Sequence, residues 1–336
     1  MADPTYQPKV YRKRGGDEIV VASGGKITIE PGGAIDGYGP SPSPIYVVDA
    51  LLGDDDTASS GHTYWEAAQL PYKTLQAAIN ASETARLAAT SIYARPTIII
   101  RSNGGYSGGA VGAYIMTATP QYTDVIGEGA SPFGSGSGIV IIAGTAATVG
   151  TMRGNYFENI CFEAPGAGTT YYGLFVTHLL RTRFYHCSFM GANTGAAAAE
   201  AGLYIAGDVG GVEIERCMLS SNLHTLLYGI KNLSGSFNDC LVKDNTIVAA
   251  TVGVYINSPG RDGGTRIEAN TISSGGWRAD TPLETGVYVL GGENCAKVVG
   301  NYIIADDCIN HTFPAECCVA NHCIQGGVGA IEYVGT

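Results

Sequence analysis

The chain has 336 residues, 48 of them glycine, with 45% hydrophobic and 15% charged residues and a formal net charge of -11. That hydrophobic content is too high for a disordered glycine-rich chain, and the length suits one large domain with an appendix. The acidic balance argues against nucleic acid as a partner, and no run is long and apolar enough to enter a membrane.

The charge is uneven: residues 1–16 hold Lys9, Arg12, Lys13 and Arg14 against Asp3, about +3, leaving about -14 on the remainder. A basic end on an acidic body suggests a docking end and an outward end. Met1-Ala-Asp-Pro lacks the apolar core of a secretory signal, so assembly in a cytoplasm is expected. The first fifteen residues hold two prolines and no periodicity, which reads as extended chain. An eight-residue repeat follows in Glu18–Gly25, Lys26–Gly33 and Ala34–Gly37, each apolar run ending at glycine. Three such short strands bury too little to stand alone and need copies of themselves or another surface.

The stretch from Tyr6 to Gly37, with Val10-Tyr-Arg, Gly15-Gly-Asp-Glu and Val20-Val-Ala-Ser-Gly-Gly, resembles the N-terminal segment of tailed-phage head decoration or head-fibre proteins. The resemblance implies a capsid-binding segment over residues 1–38, with the major capsid protein as partner. Lys9, Val10, Tyr11, Arg12, Lys13, Arg14, Ile19, Val21, Ile27 and Ile29 are its candidate contacts: the cations toward an acidic shell, the apolar residues for burial.

Gly39-Pro-Ser-Pro-Ser-Pro44 reads as a semi-rigid polyproline linker, 39–44, before a domain over 45–336. That domain opens with a strand from Ile45 to Ala50, the acidic turn Gly53-Asp-Asp-Asp56 and a helix over Pro71–Ile79 with Tyr72, Leu75, Ala78 and Ile79 on one face. Early strands are expected at Pro96–Ile100, Asp124–Gly127 and Gly138–Ala143, and loops at Gly104–Gly112, Gly134–Gly138 and Ala196–Ala199, the last alternatively a helical turn.

Two patterns then return in step. An apolar residue, a Cys, Asn or Ile three places on, and another apolar residue two beyond recur as Phe157/Ile160/Phe162, Phe184/Cys187/Phe189, Ile214/Cys217/Leu219, Val242/Asn245/Ile247, Ile267/Asn270/Ile272 and Val298/Asn301/Ile303. Their spacings are 27, 30, 28, 25 and 31 residues. Between them, Gly173, Gly202, Gly229, Gly253 and Gly286 each enter an apolar-alternating run. Short β-rich runs at such a period are coils of a solenoid with two or three strands each. Together with the opening strand, acidic turn and helix, the pattern resembles right-handed pectate-lyase-like β-helices from about Pro44 to Asp307. The fold expected is all-β, a right-handed parallel β-helix (solenoid) with an N-terminal capping helix and a short β-repeat anchoring segment. Cys308–Gly327 breaks the spacing, and Ala330–Val334 could be a closing strand.

Cys187 and Cys217 share a coil position and read as small buried hydrophobes rather than disulfides. Cys308, Cys317, Cys318 and Cys323 with His311 and His322 match no zinc spacing, so no metal and no cofactor is expected. Asn245, Asn270 and Asn301 read as a ladder bonded along the axis. Tyr204, Tyr255 and Tyr288 share one position, a strip for sugars or a subunit if outward and ordinary core if inward.

The Asn-Thr-Asp, Asp-Asp, Gly-His-Gly and Arg-Ile-Lys set of polygalacturonase-like helices is missing; Thr265-Arg-Ile-Glu268 is its nearest string. Asp54, Asp55 and Asp56 suit a turn better than a calcium site. Glu213, Glu215, Glu268, Asp239 and Asp244 suit a solvated face better than an acid–base pair. No catalytic residue is therefore expected. The reading is a homotrimeric structural protein of the virion exterior, with a surface glycan as a possible further partner. The alternative is a tailspike-like polysaccharide depolymerase or glycan-binding receptor.

Overall fold

The computed structural model describes residues 10–12, 19–21, 43–88, 95–101, 114–128, 140–141, 150–163, 172–190, 199–220, 226–258, 263–274, 283–291, 296–311, 318–325 and 331–334. The chain divides into two compact units, Met1–Ser41 and Pro42–Thr336. In the first, strand Val10–Arg12 pairs antiparallel with Ile19–Val21, setting Tyr11 opposite Val20 and Arg12 opposite Ile19.

The second unit is a parallel β-solenoid. One coil runs Tyr156–Glu158, Cys161–Glu163, Tyr172–Val176 and His178–Leu180 before Arg183–Tyr185 returns to pair in parallel with Tyr156–Glu158. These four strands seed four sheets. Among the described residues, sheet I has ten strands, from Ile45–Val48 to Cys318–Val319, and sheet II nine, from Val140–Ile141 to Ile331–Val334. Among the same residues sheet III has six, from Tyr172–Val176 to Asp307–His311, and sheet IV four, from Thr151–Arg153 to Phe237–Asn238. The middle coils thus carry four strands rather than two or three, because the two- and three-residue strands of sheet IV give almost no alternation to read.

The first repeating pattern maps onto the core. Its leading apolar residue is the inward centre of a sheet I strand and its trailing one the centre of a sheet II strand, as in Phe184 and Phe189. Phe157 stacks on Phe184 at 5.2 Å and Phe162 on Phe189 at 5.3 Å, while the Phe157 and Phe162 rings meet edge to face at 5.5 Å. Each such pair adds about 0.5–1.5 kcal/mol beyond its buried area.

From the Tyr156 coil onward, each corner between sheets I and II is one residue in the left-handed region: Asn159, His186, Arg216, Asp244, Ala269, Gly300 and Ala320, with φ between 52° and 64°. A second column precedes sheet I, at Tyr122, Gly154, Arg181, Gly211, Asp239 and Gly264. Each three-residue strand of sheet I between two such corners can therefore turn sharply without a loop. A left-handed conformation costs an L-residue about 1–2 kcal/mol, a cost the stacked pairing of the coils offsets.

The glycine of the second pattern is required by space. A methyl at Gly253 would land on Cγ2 of Ile272 and 2.6 Å from the carbonyl oxygen of Gly286; one at Gly286 would meet Cγ2 of Ile303 and the Cys308 carbonyl. Sheet III crosses close above sheet II along this stripe.

The N-terminal end is covered by helix Leu75–Ala88, which buries Leu75, Ala78 and Ile79 in the same core cluster as Tyr46, Tyr72 and Ile98. It starts later and runs further than Pro71–Ile79. Thr74 takes the end position, its hydroxyl accepting the Ala77 N–H at 3.2 Å, and no Gly or Pro interrupts the run to Ala88.

Two further corrections concern loops. Ala199 opens strand Ala199–Ile205, while residues 191–198 lie outside the described residues, as do 104–112 and 134–138. Cys308–Gly327 contains one more coil: Asp307–His311 joins sheet III, Cys318–Val319 sheet I and Asn321–Gln325 sheet II. Ile331–Val334 then closes sheet II antiparallel.

Candidate functional site

Of the candidate head contacts, Lys9, Lys13, Arg14, Ile27 and Ile29 lie outside the described residues. Val10, Tyr11, Arg12, Ile19 and Val21 fall on the two paired strands of the first unit.

The acidic turn is satisfied by backbone. Asp55 Oδ1 accepts the N–H groups of Lys73 and Thr74 at 2.8 and 2.9 Å, and Oδ2 accepts the Thr74 hydroxyl at 2.7 Å. Asp54 accepts the Asp56 N–H at 3.1 Å. Asp55 thus holds the start of the capping helix, and Asp54 closes its own turn.

The outer face of sheet I carries the other carboxylates, interleaved with cations. Arg183 lies 3.1 Å from Glu213 and 2.7 Å from Glu215, and Glu268 lies 3.8 Å from Lys243 and 3.6 Å from Arg266. Arg183 is held more firmly protonated, first by its hydrogen bond to Glu215. Asp239 and Asp244 are corner residues with positive φ. This arrangement is a laced, solvated surface; such pairs contribute little each.

The buried corner column between sheets I and II is polar in its second half. Asn245, Asn270, Asn301 and Asn321 follow the left-handed corners, and each Nδ2 reaches the next Oδ1 at 2.9 Å as far as Asn321. The Oδ1 atoms also accept the backbone N–H of the residue that follows the preceding coil's corner at 2.8–3.0 Å, starting with Cys217. Nδ2 also donates to the inward carbonyl of sheet I, Ile214, Val242, Ile267 and Val298 in turn. Cys187 and Cys217 occupy the same column above, buried as thiols. Burial pushes the Cys187 thiol well up, and Cys161 and Cys240, buried elsewhere, are pushed to about 12. Cys308, Cys318 and Cys323 are buried in the same apolar cluster, with Cys318 and Cys323 at the sheet I and sheet II centre positions, so their spacing follows the core of the last coil.

The outer face of sheet III is where the aromatic position falls. Phe175, Tyr204, Lys231, Tyr255, Tyr288 and Asn310 form one cross-strand column. Tyr255 and Tyr288 stack at 5.3 Å and 4°, and Tyr228 meets Tyr255 edge-on at 5.6 Å and 71°. Lys231 Nζ sits 4.1 Å from the Tyr228 ring centre and 2.7 Å from Glu200 Oε1, while the Tyr172 hydroxyl donates to Glu200 Oε2 at 3.1 Å. Tyr172, Phe175 and Tyr204 are buried in a cluster of their own, outside the main core; Tyr228, Tyr255 and Tyr288 are half-buried. Burial and then the electrostatic effect of Tyr288 hold the Tyr255 phenol above its ordinary range, so its hydroxyl stays protonated. Sequence reading found three of these tyrosines. It missed Tyr228, Lys231 and Glu200, which join the strip only through the bend at the glycine stripe and the cross-strand register.

Among proteins of established identity and among solved structures, none matches this chain. A family model described as a right handed beta helix region matches residues 128–303, which hold the glycine stripe and the two corner columns except Tyr122 and Ala320. With more than half of its length matched and the stacked parallel coils in place, the chain belongs to the right-handed β-helix family.

Proposed function

We propose that the protein is a structural component of a tailed-phage virion, a capsid decoration or head-fibre protein. Residues 1–38 hold the major capsid protein on the capsid exterior, and the β-helix projects outward as a homotrimer. The observation that carries this reading is the separate small unit, Met1–Ser41, with its basic stretch and antiparallel strand pair, set ahead of a large solenoid. The ion-paired carboxylates of sheet I support a structural rather than a hydrolytic role. Trimerisation fits a short β-repeat that buries too little alone and the three-fold sites of a shell.

The test is co-sedimentation with empty heads. The full chain should pellet with heads, and the triple variant Arg12→Glu, Lys13→Glu, Arg14→Glu should remain in the supernatant with an unchanged circular dichroism spectrum. Equal pelleting of both proteins would remove the proposal.

A second reading, a glycan-binding receptor or depolymerase, is supported by the tyrosine strip of sheet III. Release of reducing sugar from capsular polysaccharide would favour it.

A further inference from the structure

The strip on sheet III has its ring faces turned against its own neighbours. Tyr288 stacks on Tyr255, Tyr228 on the preceding strand meets Tyr255 at 71°, and the Lys231 ammonium lies over Tyr228. A sugar ring stacks on an open aromatic face, so little of that surface remains on Tyr228 and Tyr255. These half-buried tyrosines stand beside Leu233, 43% exposed, and the half-buried Leu290. Tyrosine beside leucine, with few rotatable bonds to order, suits a flat protein contact.

Charge selects the partner. At net charge -11, two copies repel except where a face is locally neutral. Across the first five strands of this face the charged side chains are Lys231 and Glu200, which cancel each other at 2.7 Å, with Asp307 exposed on the last strand, while the outer face of sheet I alternates both signs in the open. Six strands about 4.8 Å apart, several of them seven residues long, give a face of roughly 650 Å². That approaches the about 800 Å² a side of a stable interface.

We infer that the outer face of sheet III, centred on Tyr228, Tyr255 and Tyr288, is the contact between copies of this chain. The inference rests on the homotrimer in the proposed function and gives it a location. Copies meet with axes side by side, so that neutral tyrosines and leucines are buried and the acidic remainder faces solvent.

Sedimentation velocity on the full chain, without heads, tests this. The unsubstituted protein should sediment as an oligomer at micromolar concentration. Tyr255→Glu with Tyr288→Glu should weaken association at least tenfold, and Leu233→Lys, which alters only an exposed side chain, should act in the same direction if the tyrosine variant folds poorly. A monomeric unsubstituted protein would overturn the inference together with the trimer. An oligomer that folded Tyr255→Glu/Tyr288→Glu and Leu233→Lys both leave intact would overturn the location alone. Variants that stay oligomeric but lose retention on immobilised polysaccharide would overturn it and give the face to a glycan. None of these outcomes depends on head binding, which the Arg12, Lys13 and Arg14 substitutions report separately.

Discussion

The same buried corner is built in two ways along one solenoid. In the earlier coils it holds Cys187, between Phe184 and Phe189 that stack on Phe157 and Phe162, and Cys217, between Ile214 and Leu219; in the later coils it holds Asn245, Asn270, Asn301 and Asn321. The thiols take over part of the amide's work. Cys187 Sγ faces the Phe157 carbonyl at 3.4 Å and Cys217 Sγ the Phe184 carbonyl at 3.6 Å, the position to which each asparagine Nδ2 donates further on. A thiol is a weak donor, and it does not supply the strong acceptor that an amide offers to the preceding corner N–H. A coil corner thus accepts a small thiol beside aromatic packing at Cys187 and beside aliphatic packing at Cys217, and from Asn245 on it uses a hydrogen-bonded file.

The largest expected effect is at Asn270. Asn270→Ala strips the acceptor from the Asn245 N–H and Nδ2 and the donor from the Val242 carbonyl and Asn301 Oδ1. Buried groups left unmatched cost about 1–3 kcal/mol each, so a loss of about 3 kcal/mol or more is expected in urea unfolding. A change below about 1 kcal/mol would show the file to be ornamental.

Glycine substitutions should separate the two halves next. At Gly253→Ala the new methyl meets Ile272 and the Gly286 carbonyl, whereas at Gly202→Ala the nearest core side-chain atom is Phe189 Cβ at 3.3 Å. Overpacking costs about 1–3 kcal/mol, with Gly253→Ala at the upper end and Gly202→Ala below it; the reverse order in paired melts would contradict the close sheet crossing.

Exchanging the solutions sharpens the comparison further. Cys217→Ala should cost about 1 kcal/mol. Cys217→Asn extends the file by one coil toward the Phe184 carbonyl and Asn245 Oδ1, and should hold stability within about 1 kcal/mol of the parent. If the asparagine variant melts below the alanine one, the corner between Ile214 and Leu219 has no room for an amide.

The smallest effect is a titration on the outer side of the earlier coils. Burial raises the Glu163 carboxyl above its ordinary value. A carboxyl with a raised folded pKa binds its proton more tightly when folded, so its contribution favours folding at low pH and is lost as pH rises through that folded value. Glu163→Gln should raise the melting temperature slightly at pH 8 and leave it unchanged at pH 4. An equal shift at both would assign the effect to packing.

Much of this architecture was legible in residue spacing. The step of three and then two between apolar centres marks where sheet I hands over to sheet II, and Asn245, Asn270 and Asn301 stood out within it. Asn321 did not, because its coil is only 20 residues from Asn301, although Cys318, Asn321 and Cys323 keep the same internal steps. The left-handed corners were hidden for a physical reason. Asn159, His186, Arg216, Asp244, Ala269 and Ala320 are not glycine, and the stacked backbone, rather than the residue type, sets their conformation. The tyrosine strip was half legible, since its period shows in one chain but the direction of its rings depends on register with Lys231 and the bend at the glycines.

The asparagine file has a direction. The N–H after each corner, from Cys217 to Asn301, waits for a side-chain oxygen that belongs to the coil made after it. A growing chain therefore carries this donor unanswered at its leading edge through each of these steps, beside corner N–H groups such as that of Arg216 that also pair with the next coil. The queue is settled only when Asn321 arrives and Ile331–Val334 folds back across its strand.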